Sequence, residues 1–276
     1  MSETLQTTLA PYRWSAAIEA EIFRDVAERH APHLAGERSV SRQAAETPEE
    51  FARIADHWLW TAGHDSFIVQ AATKAGATLF PQLDAQYVLA RQIGDDGFHA
   101  EFARDYARHH LGHDPIGRIE EVVALHWAAL EDLPYRDLYG FFAFELHYEL
   151  HILARLAHER LTATLYDPPI RSFGEERAAP DEEVHRLRLM DWWLGYYRGL
   201  SPEGRVEAAE RLLAADEEVQ RRLNPYLNTR YERSAANLGT DIIAAVPIYD
   251  DFRREVLSRL LDIPAERLGP LTNLAD

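Results

Sequence analysis

The sequence predicts an all-α fold. Three observations carry this. Apolar residues recur with the 3.6-residue period of amphipathic helices, helix start and stop signals separate the periodic stretches, and no stretch shows convincing two-residue strand alternation. With 276 residues and 46% hydrophobic content the chain can bury one sizeable core.

The first 40 or so residues are weakly patterned and read as an arm packing on the rest. Thr47-Pro48-Glu49-Glu50 is a capping box with Pro at the first helical position. It opens a helix to about Gly76, with the stripe Phe51, Ile54, Trp58, Ala62, Ile68, Val69 and Ala72. A second helix opens at Pro81, runs to about His110 and is closed by Gly112; Asp114-Pro115 opens a shorter one that ends before Pro134. A third long helix runs from about Asp137 to Thr164, stopped by Asp167-Pro168-Pro169. Ser172-Phe173-Gly174-Glu175 is another capping-box pattern, leading into the stretch from Asp181 to Tyr197. Gly199 and Ser201-Pro202 divide this from the next helix, Asn224-Pro225 starts another, and Asp250 to Pro264 forms a last amphipathic one. No Gly- or Ser-rich linker interrupts the chain, so residues 1–276 are expected to form one domain, with a core bundle at about 47–199 and accessory C-terminal helices at about 202–270.

Composition excludes several function classes. The formal charge of −17 repels polyanions, and no basic stripe offsets it, so nucleic acid is not an expected partner. Cysteine is absent, which removes disulfides, thiolate metal sites and cysteine catalysis. Lys74 is the single lysine, and its surroundings do not form a phosphate-binding loop. No apolar run of about 18 residues and no secretory signal are present, so a cytoplasmic protein without a membrane span is expected. Hydrolase, zinc-protease and dinucleotide motifs are lacking.

One pattern carries chemistry. Asp96 and His99 lie three apart on the helical face that continues through Leu89, Ile93, Ala100, Ala103 and Tyr106. A carboxylate on an apolar stripe needs a partner, either a metal ion or an arginine from a neighbouring helix. The arrangement recurs as Asp181-Glu182-Glu183-Val184-His185, pairing Glu182 with His185 on the stripe Leu189, Trp192, Tyr196. The helix preceding each pair supplies inward acids. Asp65 lies on the first stripe, and Glu145 and Glu149 sit one turn apart in "FFAFELHYELHILARL", a helix apolar nearly all round and therefore buried. Asp65 precedes Asp96 by 31 residues and Glu149 precedes Glu182 by 33, whereas Glu145 gives 37; Glu149 is favoured, with Glu145 as the alternative. Two carboxylate-x-x-His pairs and two further acids on four helices form the ligand pattern of di-iron and di-manganese carboxylate bundles. Gly94 and Gly97, at about 1 kcal/mol each relative to alanine, are expected where helices approach closely or a buried site needs access.

On these residues the chain resembles the ferritin-like di-iron proteins, nearest the phenylacetic-acid catabolic oxygenase group through "ARQIGDDGFHAEFARDY". The resemblance covers about residues 47–199 and rests on four short patches. It implies a ferritin-like four-helix bundle with additional N- and C-terminal helices. It also implies two iron ions (or an Mn/Fe pair) held by Asp65, Asp96, His99, Glu149 or Glu145, Glu182 and His185. Activation of dioxygen to oxidise a small organic substrate, such as an acyl thioester, would follow, with electrons from a separate reductase. Some members lack working metal sites and serve as structural partner subunits, which is the alternative function; a homodimer is the expected assembly. An iron store is a third reading, against which stand the chain's length and its extra C-terminal helices.

The chain departs from the pattern. Asp stands in place of Glu at 65 and 96, shortening the reach by one methylene. Pro180 precedes the second motif: if it starts the helix, Glu182 sits too near the end to be level with the other acids, and if the helix begins near Ser172, Glu182 fits. Ala215 to Gln220 shows the acidic run without His. Among the other histidines, His147, His151 and His158 form a face expected to be hydrogen-bonded or solvated, with a His-rich metal site as the fallback. His64, beside Asp65, is either a ligand or held by a protein acceptor. His57, His109, His110, His113 and His126 read as surface residues. Trp192-Trp193 and Tyr196-Tyr197 read as core and interface.

Overall fold

Capping chemistry sets the first long helix. The Thr47 hydroxyl accepts from the Glu50 backbone N–H, and the Glu50 carboxylate accepts from that of Thr47, so helix α2 (Pro48–Thr78) starts at its capping box. The computed structural model describes residues 13–30, 42–239 and 246–271, with side chains described throughout except over 152–162. Helix α1 (Ala16–Arg29) precedes α2; α3 (Leu83–Leu111), α4 (Ile116–Leu130), the short α5 (Leu133–Arg136) and α6 (Leu138–Thr162) follow. Then come α7 (Pro168–Phe173), α8 (Ala179–Gly199), α9 (Pro202–Leu238) and α10 (Val246–Leu261). The fold is a helical bundle. Strand pairing among the described residues is confined to a two-residue parallel bridge, β1 (Gln43–Ala44) to β2 (Leu165–Tyr166), too short to show alternation. Among the described residues no helix is long and apolar enough to cross a membrane.

Helices α2 and α3 pack along their lengths as an antiparallel pair, joined by a tight connection and closed by Gly112 in the left-handed conformation (φ 72°). Helix α6 is the centre of the molecule. Every residue from Tyr139 to His151 is buried, as its all-round apolar sequence predicts. It packs against α9, α5, α10 and α8. Trp193 and Tyr197 are core residues that also tie α8 to α10, since the Trp193 indole N–H donates to the Leu260 carbonyl (3.3 Å) and the Tyr197 hydroxyl to that of Leu261 (2.9 Å). Helix α1 packs on α10 through buried Ile22 and Val26, in line with the arm expected there.

Two sequence expectations fail for identifiable reasons, and one arm of a third, close helix approach at Gly94 and Gly97, fails as well. Ser172 to Glu175 is not a helix start. The chain is helical without a break from Pro168 to Gly199, and residues 174–178 form a π-helical turn between α7 and α8. Pro180 would press its ring on the carbonyl four residues back, Glu176, which lies inside that widened turn. Glu182 therefore sits well inside a continuous helix. Asn224-Pro225 likewise starts nothing. Pro225 lies within α9, its ring exposed, while Leu212, Val219, Leu223, Leu227 and Tyr231 continue one buried stripe past it. Burial on both sides offsets the roughly 3 kcal/mol that an interior proline costs a helix.

The third concerns glycine. Gly94 is exposed with nothing within 4 Å of a Cβ built on it, and at Gly97 such a Cβ would meet only Val69 at 3.9 Å. Neither is a point of close helix approach. Gly63 is one: its Cβ would fall 2.5 Å from Val122 on α4. Gly94→Ala is accordingly expected to raise unfolding stability by about 1 kcal/mol through helix propensity. Gly63→Ala is expected to lower it by about 1–3 kcal/mol through overpacking. Denaturant unfolding of the two variants checks both signs.

Candidate metal centre

Helices α2, α3, α6 and α8 direct acids to one buried place. Asp65 (α2), Asp96 and His99 (α3), Glu145 and Glu149 (α6), and Glu182 and His185 (α8) are all buried, none more than 7% exposed. One ligand atom each from Asp96, Glu182 and His185 lie within 4.8 Å of one another. The two imidazoles aim the same nitrogen inward. His99 Nδ1 is 3.3 Å from Glu182 Oε1 and 3.9 Å from Asp96 Oδ1; His185 Nδ1 is 3.5 Å from Glu182 Oε2 and 3.6 Å from Asp96 Oδ1. Asp96 and Glu182 therefore each face both imidazoles. Glu149 Oε1 lies 3.8 Å from His185 Nδ1, and Asp65 is near enough to His99 to raise its pKa. A cavity of about 10 Å³ lies among the acids, lined by Asp65, Asp96, Glu145, Glu149 and Glu182 with Gln92, Ile68, His64 and Tyr148. That is roughly the space of one water or ion.

The opposite ring nitrogens are held crosswise. His185 Nε2 is 3.3 Å from Asp95 Oδ2 on α3, and His99 Nε2 is 3.3 Å from Asp181 Oδ2 on α8. The first acid of each acid-acid-x-x-His run thus serves the histidine of the other run. Such a carboxylate fixes the ring with Nε2–H outward and Nδ1 facing the acids, the usual support of a metal-bound imidazole.

The buried charges shift one another strongly. Burial pushes the Asp96 carboxyl well up, and the charges of Glu182, Asp65, Glu149 and Glu145 push it further. Burial does the same to Glu149, with Glu182 adding to it and Arg186 opposing. Glu145 is raised to about 7 by burial, against the Gln92 amide that donates to its Oε2 at 2.8 Å. For His99 burial acts downward, but its bond to Glu182 and the charges of Asp65 and Glu182 lift it to about 9. For Glu182 burial acts upward, and bonds to His185 and His99 hold it well below the carboxylate range.

Glu145 Oε1 is buried with no hydrogen-bond partner among the described residues, while Glu149 Oε2 has only Arg186 at 3.9 Å and His185 Nδ1 faces carboxylates at 3.5 Å and beyond. Carboxylates bunched in a low-dielectric interior with orphaned oxygens are costly. Imidazole nitrogen with carboxylate oxygen is ligand chemistry shared by several divalent metals, iron, manganese and zinc among them. Asp96, Glu182 and His185 bring one ligand atom each close enough together to hold a metal ion.

All the sequence-expected ligands converge, and Glu145 and Glu149 both reach the cavity. Reading the sequence alone missed the crosswise acids Asp95 and Asp181, as well as Gln92 and Arg186. Arg186, buried, reaches Glu149 (3.9 Å) and Glu19 of α1 (3.4 Å). The doubled acid before each histidine was the available signal, because a residue four before His shares its face. Two histidines expected at the surface are not there. His57 is 6% exposed and lies against the Ser234 hydroxyl (3.2 Å); His126 is fully buried on the stripe Ile119, Val122, Val123, Leu130, with Nδ1 bonded to the Val122 carbonyl (2.8 Å). His64 lies against Arg230 (2.8 Å), His147 against the Tyr249 hydroxyl (2.7 Å) and His151 against that of Tyr231. The His147 and His151 contacts agree with the hydrogen-bonded reading, whereas the Arg230 guanidinium against His64 is a donor rather than the acceptor expected; the side chain of His158 falls outside the described residues. Compared with family models, curated proteins and solved structures, the chain matches none.

Proposed function

We propose that this chain is a ferritin-like non-haem di-iron oxidoreductase that uses dioxygen to oxidise a small organic substrate. The observation that carries the reading is the placement of Asp96 and Glu182, each between two inward-facing imidazole Nδ1 atoms. Asp96, Glu182, His99 and His185 would hold the ions, with Asp65 and Glu149 as further candidate ligands. A bound pair of ferrous ions would supply two electrons to dioxygen.

The chain's own residues then have defined tasks. Asp95 and Asp181 hold the Nε2–H of the imidazoles so that Nδ1 stays available. Glu145, raised to about 7, can take up or release a proton at the cavity wall near neutral pH while the Gln92 amide donates to its Oε2. Ile68 and Tyr148 supply apolar and aromatic lining to the cavity. A second reading, a metal-free partner subunit, draws on Arg186, whose guanidinium already offers Glu149 a cation.

Dioxygen uptake separates the two. Protein loaded anaerobically with ferrous iron is expected to consume dioxygen far faster than the same iron in buffer, and Asp96→Ala to fall to the buffer rate. Equal rates for wild type, variant and buffer would favour the partner subunit.

A further inference from the structure

The imidazole end of the centre is closed by a square of charges that its ligands do not require. Arg91 on α3 reaches both Asp95 and Asp181, the latter at 2.9 Å. Arg177, in the π-helical turn, reaches the same two acids, Asp181 at 2.9 Å and Asp95 at 3.5 Å. Each arginine therefore touches both acids and each acid both arginines. Exposure falls step by step inward: the arginine side chains are 52% and 51% exposed, those of the acids 9% and 7%, and those of the imidazoles 2%.

We propose that Arg91 and Arg177 are positioning residues for the metal centre, locking Asp95 and Asp181 as acceptors for His185 and His99. The inference rests on the reading of those histidines as ligands. Asp95 and Asp181 stand close enough to share both cations, so without the arginines two like charges would face each other at the protein's edge. They would then turn toward water or take up a cation themselves. In either case the imidazoles lose the acceptors that aim Nδ1 inward. Half-exposed ion pairs add little to folding stability, so the clasp's effect is expected on ring orientation and metal affinity rather than on the fold. The arginines also make the outer acid pair a poor cation site, directing metal to the inner acids.

The full-length Arg91→Gln/Arg177→Gln protein tests this in two measurements. In metal-free, ¹⁵N-histidine-labelled wild type, the Nε2–H protons of His99 and His185 are expected as slowly exchanging downfield resonances, identified by their loss in His99→Gln and His185→Gln. The double variant should lose or broaden both while its thermal midpoint stays close to wild type. Ferrous affinity, read by titration, should weaken about 10–100-fold, the usual effect of removing a residue behind a metal ligand. The Arg91→Lys/Arg177→Lys protein, which keeps the charges, should recover most of the resonances and the affinity. Resonances unchanged in the glutamine variant would overturn the clasp, whatever the affinity did. If wild type binds no iron yet the variant loses the resonances, the clasp stands and the metal-centre reading falls.

Discussion

Held free of metal by a chelator, the protein is expected to be most stable near pH 5 and to lose several kcal/mol of stability by pH 9. The sign follows from which form each buried group prefers in the folded state. Glu145, raised from 4.5 to about 7, contributes stability that is fully present below 4.5 and lost as the pH climbs through about 7. At 1.36 kcal/mol per pKa unit this alone is roughly 3 kcal/mol. Asp96 and Glu149, raised well above their ordinary values, act in the same sense. His99, raised from 6.5 to about 9, contributes stability present below 6.5 and lost as pH rises through about 9. Glu182 has the opposite sign, since its depressed pKa adds stability above 4.5 that disappears only in strong acid. Thermal midpoints measured from pH 5 to 9 should therefore fall steadily. A midpoint that climbs over this range would mean the acids are not packed together.

Metal should reverse that trend. Cations bind the deprotonated acids, so occupancy grows with pH and removes the repulsion that accumulates in the metal-free protein. At a hundredfold excess over Kd, one site adds about 2.7 kcal/mol. For two ions, at about 2–4 °C per kcal/mol, this amounts to roughly 10 °C or more in Tm near pH 7.5. Asp96→Asn isolates the cause. An amide resembles the protonated carboxyl that burial favours here, so the metal-free variant should match or exceed wild type in stability. Its gain on adding ferrous or manganous ion should nevertheless largely vanish. Equal gains in wild type and variant would place the bound ions elsewhere on the molecule.

Much of the fold and of the site could be read from the chain because the signals are local. The capping box at Thr47, the all-round apolar run of α6 and the doubled Asp-x-x-His and Glu-x-x-His spacings depend only on neighbours within a turn or two. What could not be read depends on which helix lies opposite. That Asp95 serves His185 and Asp181 serves His99 is a matter of register between α3 and α8, which no spacing within one helix specifies. The continuity of α9 through Pro225 needed knowledge of the burial on both sides. His126 was open to local reading, because Val122 and Leu130 at i−4 and i+4 mark its face as apolar.

Metal content of the purified chain, reconstituted anaerobically with ferrous iron and freed of loosely held ions, tests the centre most directly. Close to two ions per wild-type chain, with a sharp loss in both Asp96→Ala and His185→Ala, is the expected result. The same small fraction of an ion in all three proteins would contradict it.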